Sequence, residues 1–289
     1  MAAIANDSRV GYRAGHVPPP PPCPRPRRAP APAPAPAPAR RRRISFTELN
    51  AAGPEALAAA FAAPPEEAAP WVEAAARYGS ARAQARWGQM LLEGLGVPQD
   101  QATALFWFRS SASAGEPEGL NMLGRCHELG LATPVDDAAA AECFRRAAEG
   151  GFDWGQYNYA NMLARGDGVA RDRAAALRWY RAAAAQGHAK SINMVARFME
   201  EGWEMPRDAA GAARLYRLSA ERGDFRGQFN LGVLLTDAGR VEEAARWFRE
   251  SARLANGPFR RSMLTRLGGR TEPEIRAVLA EVEAMLATG

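Results

Sequence analysis

A period of 36 residues governs this sequence from residue 79 onward. Glycine and aspartate recur at that spacing in three series: Gly79, Gly115, Gly151, Gly187 and Gly223; Gly94, Gly130, Gly166 and Gly202; and Asp100, Asp136, Asp172 and Asp208. Periods of 20–50 residues indicate repeat architectures, in which one unit cannot bury its own apolar face and must stack on its neighbours. The period therefore restricts the chain to a stack of similar units.

Each period contains two stretches of helical spacing. In the first, a small residue recurs beside an apolar stripe, at Gly88, Gly124, Ala160, Ala196 and Gly232. In the second, aromatic rings alternate with alanines, the rings being Phe108, Phe144, Tyr180 and Tyr216. Apolar residues at i, i+3 and i+4 are typical of amphipathic helices, and small residues allow close helix contact. We therefore predict one antiparallel helix hairpin per period.

The periodic glycines and aspartates have a physical role in such hairpins. Glycine after a helix adopts the left-handed conformation that closes a C-terminus, and an aspartate before a helix accepts its first exposed N–H groups. Because the aspartates occur in four copies in register, we interpret them as caps and not as catalytic groups.

Residues 158–188 (NYANMLARGDGVARDRAAALRWYRAAAAQGH) are similar to the Sel-1-like repeat, a relative of the tetratricopeptide repeat. The resemblance covers roughly residues 64–257. It implies an all-α fold, a right-handed α/α superhelical solenoid, and a scaffold or adaptor function. Ala132 and Glu204 replace the loop glycines Gly96 and Gly168. Trp203 also replaces Leu95, Leu131 or Asp167, so we expect the turn at Trp203 to differ in conformation and to expose the indole.

The period and its surroundings suggest four segments. They are a disordered leader rich in proline, alanine and arginine (1–43), a degenerate N-terminal repeat (44–79), the 36-residue repeats (80–257) and C-terminal capping helices (258–289). The spacing Thr271-x-x-Glu274 predicts a capping box that opens the last helix.

Charge is divided between the leader and the remainder. Residues 1–43 carry nine arginines and one aspartate, and the rest of the chain has a net charge of −3. Twelve prolines between Pro18 and Pro38 favour an extended spacer. Arginines 40–43 leave nucleic-acid binding open as a less favoured function, and they resemble a twin-arginine export signal. With three cysteines and no C-x-x-C pair, a cytoplasmic location is expected, with export as the alternative.

The sequence offers little material for catalysis. Lys190 is the single lysine, which excludes a Walker loop and an S-x-x-K pair, and neither H-E-x-x-H nor G-x-S-x-G occurs. We expect no enzyme activity, no cofactor and no metal. Cys126 and Cys143 occupy core-stripe positions, and a disulfide between them is left open. An enzyme-associated or regulatory subunit acting in the cell envelope or outside the cell is the alternative function.

The first helices of a solenoid line its concave side, and positions turned away from the apolar stripe face the groove. Asparagine amides pair with an extended peptide backbone, and arginine grips carboxylates. We therefore predict a groove for an acidic or carboxylate-bearing protein or peptide, lined by Arg86, Gln89, Arg125, Asn158, Asn161, Arg165, Arg197 and Asn230.

Overall fold

The computed structural model describes residues 42–288, and within that range it contains fifteen α-helices and no strand. The helices are α1 (Phe46–Ala51), α2 (Pro54–Ala62), α3 (Pro65–Arg77), α4 (Ala81–Glu93), α5 (Gln101–Ser113), α6 (Pro117–Leu129), α7 (Asp137–Glu149), α8 (Asp153–Arg165), α9 (Arg173–Ala185), α10 (Ala189–Glu201), α11 (Ala209–Glu221), α12 (Phe225–Asp237), α13 (Val241–Leu254), α14 (Gly257–Leu267) and α15 (Pro273–Ala287). The expected leader lies, up to residue 41, outside the described residues.

Five hairpins of consecutive helices form the body of the molecule: α4–α5, α6–α7, α8–α9, α10–α11 and α12–α13. Each hairpin also packs on the next, through α5–α6, α7–α8, α9–α10 and α11–α12. Helices distant in sequence do not form a shared bundle within residues 42–288. The expected all-α solenoid of hairpins is confirmed.

The interior of each hairpin is an aromatic ring set against a small residue. Phe108, Phe144 and Phe248 are fully buried, and a Cβ atom added at Gly88, Gly124 or Gly232 would lie 2.6–2.7 Å from the facing ring. Interiors packed this closely do not accept an added methyl group without strain. The small position therefore sets how closely the two helices approach.

The helices begin and end at the predicted aspartate and glycine caps. Asp100, Asp136, Asp172 and Asp208 each accept a hydrogen bond from the backbone N–H three residues later, at 2.7–3.0 Å. Gly94, Gly130, Gly166 and Gly202 close the preceding helix with φ between 68° and 86°. The predicted capping roles are confirmed.

The turn at Trp203 and Glu204 does not differ from its counterparts, so that expectation was wrong, and the turn at Ala132 has the same conformation. The φ angles of Ala132 and Glu204 are 54° and 55°, close to the 64° of Gly96 and Gly168. The neighbouring helices fix the path of the turn, and the two non-glycine residues take the left-handed conformation that this path demands.

Trp203 does not display a free indole, which corrects a second expectation. Its ring is half-buried and lies 5.5 Å from the ring of Phe198, in an edge-to-face arrangement. The guanidinium groups of Arg173 and Arg197 lie 4.8 and 5.2 Å from its centre. The indole is held by aromatic and cation–π contacts.

The ends of the stack are irregular. The short helices α1 and α2 stand before α3, and α14 and α15 cover the hairpin α12–α13 with Met263, Leu267 and Ile275 buried. The predicted capping box of the last helix is absent, because α15 starts at Pro273 with Glu272 as its N-cap residue and no side-chain cap. Proline at the first helical position has a preset φ and no N–H to be capped.

Candidate functional site

The helices of each hairpin divide into two sets. We call α4, α6, α8, α10 and α12 the inner helices, and α5, α7, α9, α11 and α13 the outer helices. Inner helices contact each other directly in the pairs α4–α6, α6–α8 and α10–α12, whereas contacts between successive outer helices are weaker. Because helices approach most closely on the inside of a curved stack, the exposed side of the inner helices forms the concave surface, here called the inner face.

All eight residues predicted to line a groove lie on inner helices, spread over the five hairpins. Arg86, Arg125, Arg165 and Arg197 are exposed, and Gln89, Asn158, Asn161 and Asn230 are half-buried. They occupy one stripe per helix, so the fold places them on the inner face.

Two of the asparagines are paired across neighbouring inner helices. The Asn158 Nδ2 donates to Asn121 Oδ1 at 2.8 Å, and the Asn230 Nδ2 donates to Asn193 Oδ1 at 2.9 Å. Asn121 and Asn193 are buried. Each half-buried amide is thus held by a buried one, while its own carbonyl oxygen and second N–H have no partner within residues 42–288. The pairs present oriented donors and acceptors to the inner face.

The side chain of Asn161 is oriented by a residue of the hairpin interior and not by another asparagine. The buried Tyr180 hydroxyl donates a hydrogen bond to Asn161 Oδ1 at 2.6 Å. This bond uses Oδ1 of Asn161 and leaves its two Nδ2 hydrogens free to bond another group. The side chain is therefore preorganised to donate, as recognition of a peptide carbonyl requires.

The four predicted arginines fall into two groups. Arg86 donates to the Phe61 carbonyl oxygen at 2.7 Å, and Arg165 forms ion pairs with Asp167 and Glu128. Arg125 and Arg197 have no carboxylate within 4.0 Å in the described part of the chain. Only this second group has its full hydrogen-bonding capacity free for a ligand.

The first hairpin adds a pocket to the inner face. A cavity of about 760 Å³ opens between α2 and α4, lined by Arg86 and Gln89 together with the apolar side chains of Phe61, Met90 and Leu95. It exists because α2 does not pack on α4 in the way that α4 packs on α6. Burial raises the pKa of Glu118, which also lines this pocket.

The sequence-based prediction missed a second row of residues on the inner helices. It lies one helical turn before the predicted row and keeps the 36-residue spacing: Arg82, Glu118, Trp154, Lys190 and Arg226. The Lys190 Nζ lies 4.6 Å from the centre of the Trp154 ring. The sequence does contain this row, because the 36-residue register of the predicted row, shifted by four residues, gives its positions. Residues four apart lie on one side of a helix.

The cations of the described chain differ in their partners. Some outer-helix arginines are ion-paired, as Arg145 is with Glu142 and Glu149, and Arg217 with Glu243, whereas Arg178 and Arg246 are not. Five cations that we call the basic strip have no carboxylate within 4.0 Å in residues 42–288: Arg125, Lys190, Arg197, Arg226 and, from α14, Arg266. Unpaired cations grouped on one surface favour an anionic partner.

Several of these cations rest on aromatic rings. Besides Lys190 on Trp154, Arg226 lies 4.6 Å from the Phe225 ring, and Arg266 lies 4.3 Å from the Phe229 ring. Cation–π contacts hold a side chain in place and leave its N–H groups free at the edge. The members of the basic strip that contact a ring are therefore held in place without being neutralised.

The remaining polar singletons have structural roles. His188 is buried at the N-cap position of α10, and its Nδ1 lies 2.9 Å from Ser191 Oγ. Cys126 and Cys143 are free thiols, and burial raises the pKa of Cys126 to about 11.

No group of His, Cys, Asp and Glu in the described residues is arranged to hold a metal ion. Helices long and apolar enough to span a membrane are not found there either.

The stacked hairpins and the concave inner face define an α/α-solenoid protein. The Sel1 repeat family matches five segments, residues 81–116, 117–152, 155–188, 189–224 and 226–256, which together make up more than half of the chain. The chain belongs to the Sel1 repeat family.

Several solved structures are similar to this chain, among them two that cover more than 80% of it. One is a protective antigen present in uropathogenic Escherichia coli strains, which displays an SLR fold; it is 29% identical, with a TM-score of 0.62, over 84% of this chain and 57% of the antigen. The present chain thus spans little more than half the length of that relative. The other is a Sel1 repeat protein from Oxalobacter formigenes, 25% identical with a TM-score of 0.65, over 81% of this chain and 98% of the other. No curated protein matches the chain.

Proposed function

We propose that the protein is a non-enzymatic scaffold whose inner face binds an extended, carboxylate-bearing segment of a protein partner. Sel1 repeats are generally protein–protein interaction modules. The observation that carries the proposal is the inner face itself, where the Asn121–Asn158 and Asn193–Asn230 pairs stand beside unpaired cations.

The two kinds of side chain have complementary tasks. The oriented amides of Asn158, Asn161 and Asn230 match the alternating N–H and C=O groups of an extended backbone. Arg125 and Arg197 supply planar forks that match carboxylates. Together they select an extended chain with acidic side chains.

Selection of peptides tests the proposal directly. The full-length protein is immobilised and used to select from a displayed library of random linear peptides. We expect enrichment of sequences rich in Asp and Glu. The double variant Arg125→Ala/Arg197→Ala should lose this preference, whereas Arg178→Ala/Arg246→Ala removes the same charge from outer helices α9 and α13 and should retain it.

The amides are tested with a peptide from that selection. Asn158→Ala/Asn161→Ala should weaken its binding by about thirtyfold, since each of the two lost hydrogen bonds contributes on the order of 1 kcal/mol. Circular dichroism should remain that of the parent protein. Binding that is the same in both double variants as in the parent would refute the assignment of the inner face.

A further inference from the structure

Lys190 is the single lysine of a chain that has 36 arginines, and it lies in the missed row of the inner face. It stands in the first turn of α10, half-buried, with its ammonium over the indole of Trp154. Trp154 is itself 41% exposed on α8. The contact therefore bridges two hairpins at a surface that a ligand can reach.

The ammonium of Lys190 has no hydrogen-bond acceptor and no ion-pair partner in the described chain. An ammonium has three donors, and an aromatic face occupies only one side of it. The donors on the remaining sides are available to a ligand.

The carboxylate whose charge acts on Lys190 has one oxygen engaged in a helix cap. Asp224 is buried, and its Oδ2 accepts hydrogen bonds from Gly227 N at 2.8 Å and Ser219 Oγ at 3.3 Å. It caps α12 and does not reach Lys190 within ion-pair distance. Burial lowers the pKa of Lys190, the charge of Asp224 opposes this effect, and Arg226 and Arg125 add to it.

The charges along the missed row are distributed unevenly. Arg82 and Glu118, of opposite sign, stand in the first and second hairpins, while the cations Lys190 and Arg226 follow one another in the fourth and fifth. Arg226 has neither an ion pair nor a hydrogen-bonded acceptor within residues 42–288 and lies on the Phe225 and Phe259 rings, 4.6 and 5.6 Å from their centres. An acidic side chain is therefore attracted to the end formed by α10 and α12, whereas Glu118 offsets the charge of Arg82 in the first two hairpins.

We propose that Lys190 and Arg226, with Trp154 as the platform of Lys190, form a subsite that receives acidic side chains of the partner segment. This inference rests on the proposed function and adds to it where on the inner face the carboxylates lie.

Lys190 provides its own reporter, because an amine-reactive ester modifies only this side chain and the N-terminal amine. The full-length protein is acylated alone, with a synthetic Glu-rich peptide, with the same peptide carrying Gln in place of Glu, and with a single-stranded DNA of equal charge. Mass spectrometry then measures the modification of Lys190 relative to that of the N-terminal amine. We expect the Glu-rich peptide alone to slow Lys190 acylation, by about fivefold or more at saturation.

Variants separate this subsite from the rest of the inner face. Lys190→Met should weaken binding of the Glu-rich peptide about three- to tenfold, Lys190→Arg should retain most of it, and the outer-helix variant Arg178→Ala should not change it. If the peptide binds but neither protects Lys190 nor responds to Lys190→Met, the subsite is refuted and the proposed function stands. No binding of the peptide at all would overturn both. Stronger protection by DNA than by the Glu-rich peptide would overturn the assignment to an acidic protein segment.

Discussion

The hydroxyl of Tyr180, on an outer helix, donates a 2.6 Å hydrogen bond to Oδ1 of Asn161, on the inner helix of the same hairpin. This bond connects the fully buried core to a side chain of the inner face. The packing of the hairpin thereby determines the orientation of a candidate ligand-binding group.

Tyr180→Phe should lower the free energy of unfolding by about 1 kcal/mol, since it removes one largely buried hydrogen bond and keeps the ring. Urea denaturation of the full chain measures this loss. Tyr159→Phe is the matched control, because the Tyr159 hydroxyl has no protein partner in residues 42–288. Equal losses in the two variants would show that the bond to Asn161 contributes nothing.

Gly124→Ala should destabilise the protein by about 1–2 kcal/mol. The added Cβ would lie 2.7 Å from the Phe144 ring, and the cost of overpacking exceeds what alanine gains in helix propensity. Gly269→Ala, where an added Cβ has no neighbour within 4 Å, should change stability much less. Thermal denaturation of both variants makes the comparison, and an unchanged Gly124→Ala protein would contradict the close-packed hairpin.

The cap at Asp100 should make stability depend on acid. The Thr103 hydroxyl and backbone N–H donate to Asp100 at 2.6 and 3.0 Å, and these bonds hold its pKa below the usual value. A carboxyl whose pKa is lowered on folding stabilises the fold fully above its unfolded pKa, and this contribution is lost as the pH falls through the folded pKa. The melting temperature of Asp100→Asn, relative to the parent, should therefore be lowest near pH 7 and recover below about pH 4. A constant difference across that range would contradict the prediction.

The left-handed turns predict that exchanging alanine and glycine at two equivalent positions, Ala132 and Gly168, has opposite effects on stability. Ala132→Gly should stabilise the protein by about 0.5–1 kcal/mol, because a non-glycine residue at φ 54° is strained. Gly168→Ala should destabilise it by more than about 2 kcal/mol, since its Cβ would also collide with the Asp137 carbonyl. Chemical denaturation checks both signs. Destabilisation by Ala132→Gly would show that the turn is not strained.

Much of the fold could be predicted from the sequence because each unit repeats the same helix caps and the same packing of rings against small residues. The glycine and aspartate series predicted the helix ends, and the alternation of rings with alanines predicted the interior of the hairpins. These features depend on spacing within one repeat. The turn at Glu204 and the start of α15 at Pro273 were predicted wrongly, because neighbouring helices and a preset proline φ decided them.

The candidate site could be predicted only in part. Register placed Arg125 and Asn158 on one face, but it could not reveal that Asn158 reaches Asn121, which is 37 and not 36 positions away. That offset depends on how neighbouring inner helices are staggered. The stacking of Lys190 on Trp154 likewise joins equivalent positions of two repeats, which only tertiary structure brings together.

The asparagine pairs have a consequence for how such a chain can grow or shrink. Asn121 and Asn193 are 72 residues apart, as are Asn158 and Asn230, and buried glutamines recur at the same doubled spacing, at Gln84, Gln156 and Gln228. Helices that supply the amide donor therefore alternate with helices that supply the acceptor. Removing the hairpin α10–α11 would preserve the stack yet set the two donor helices α8 and α12 side by side. Removing residues 117–188 would keep the alternation. The structural unit is one hairpin, but the unit of the amide pattern on the inner face is two.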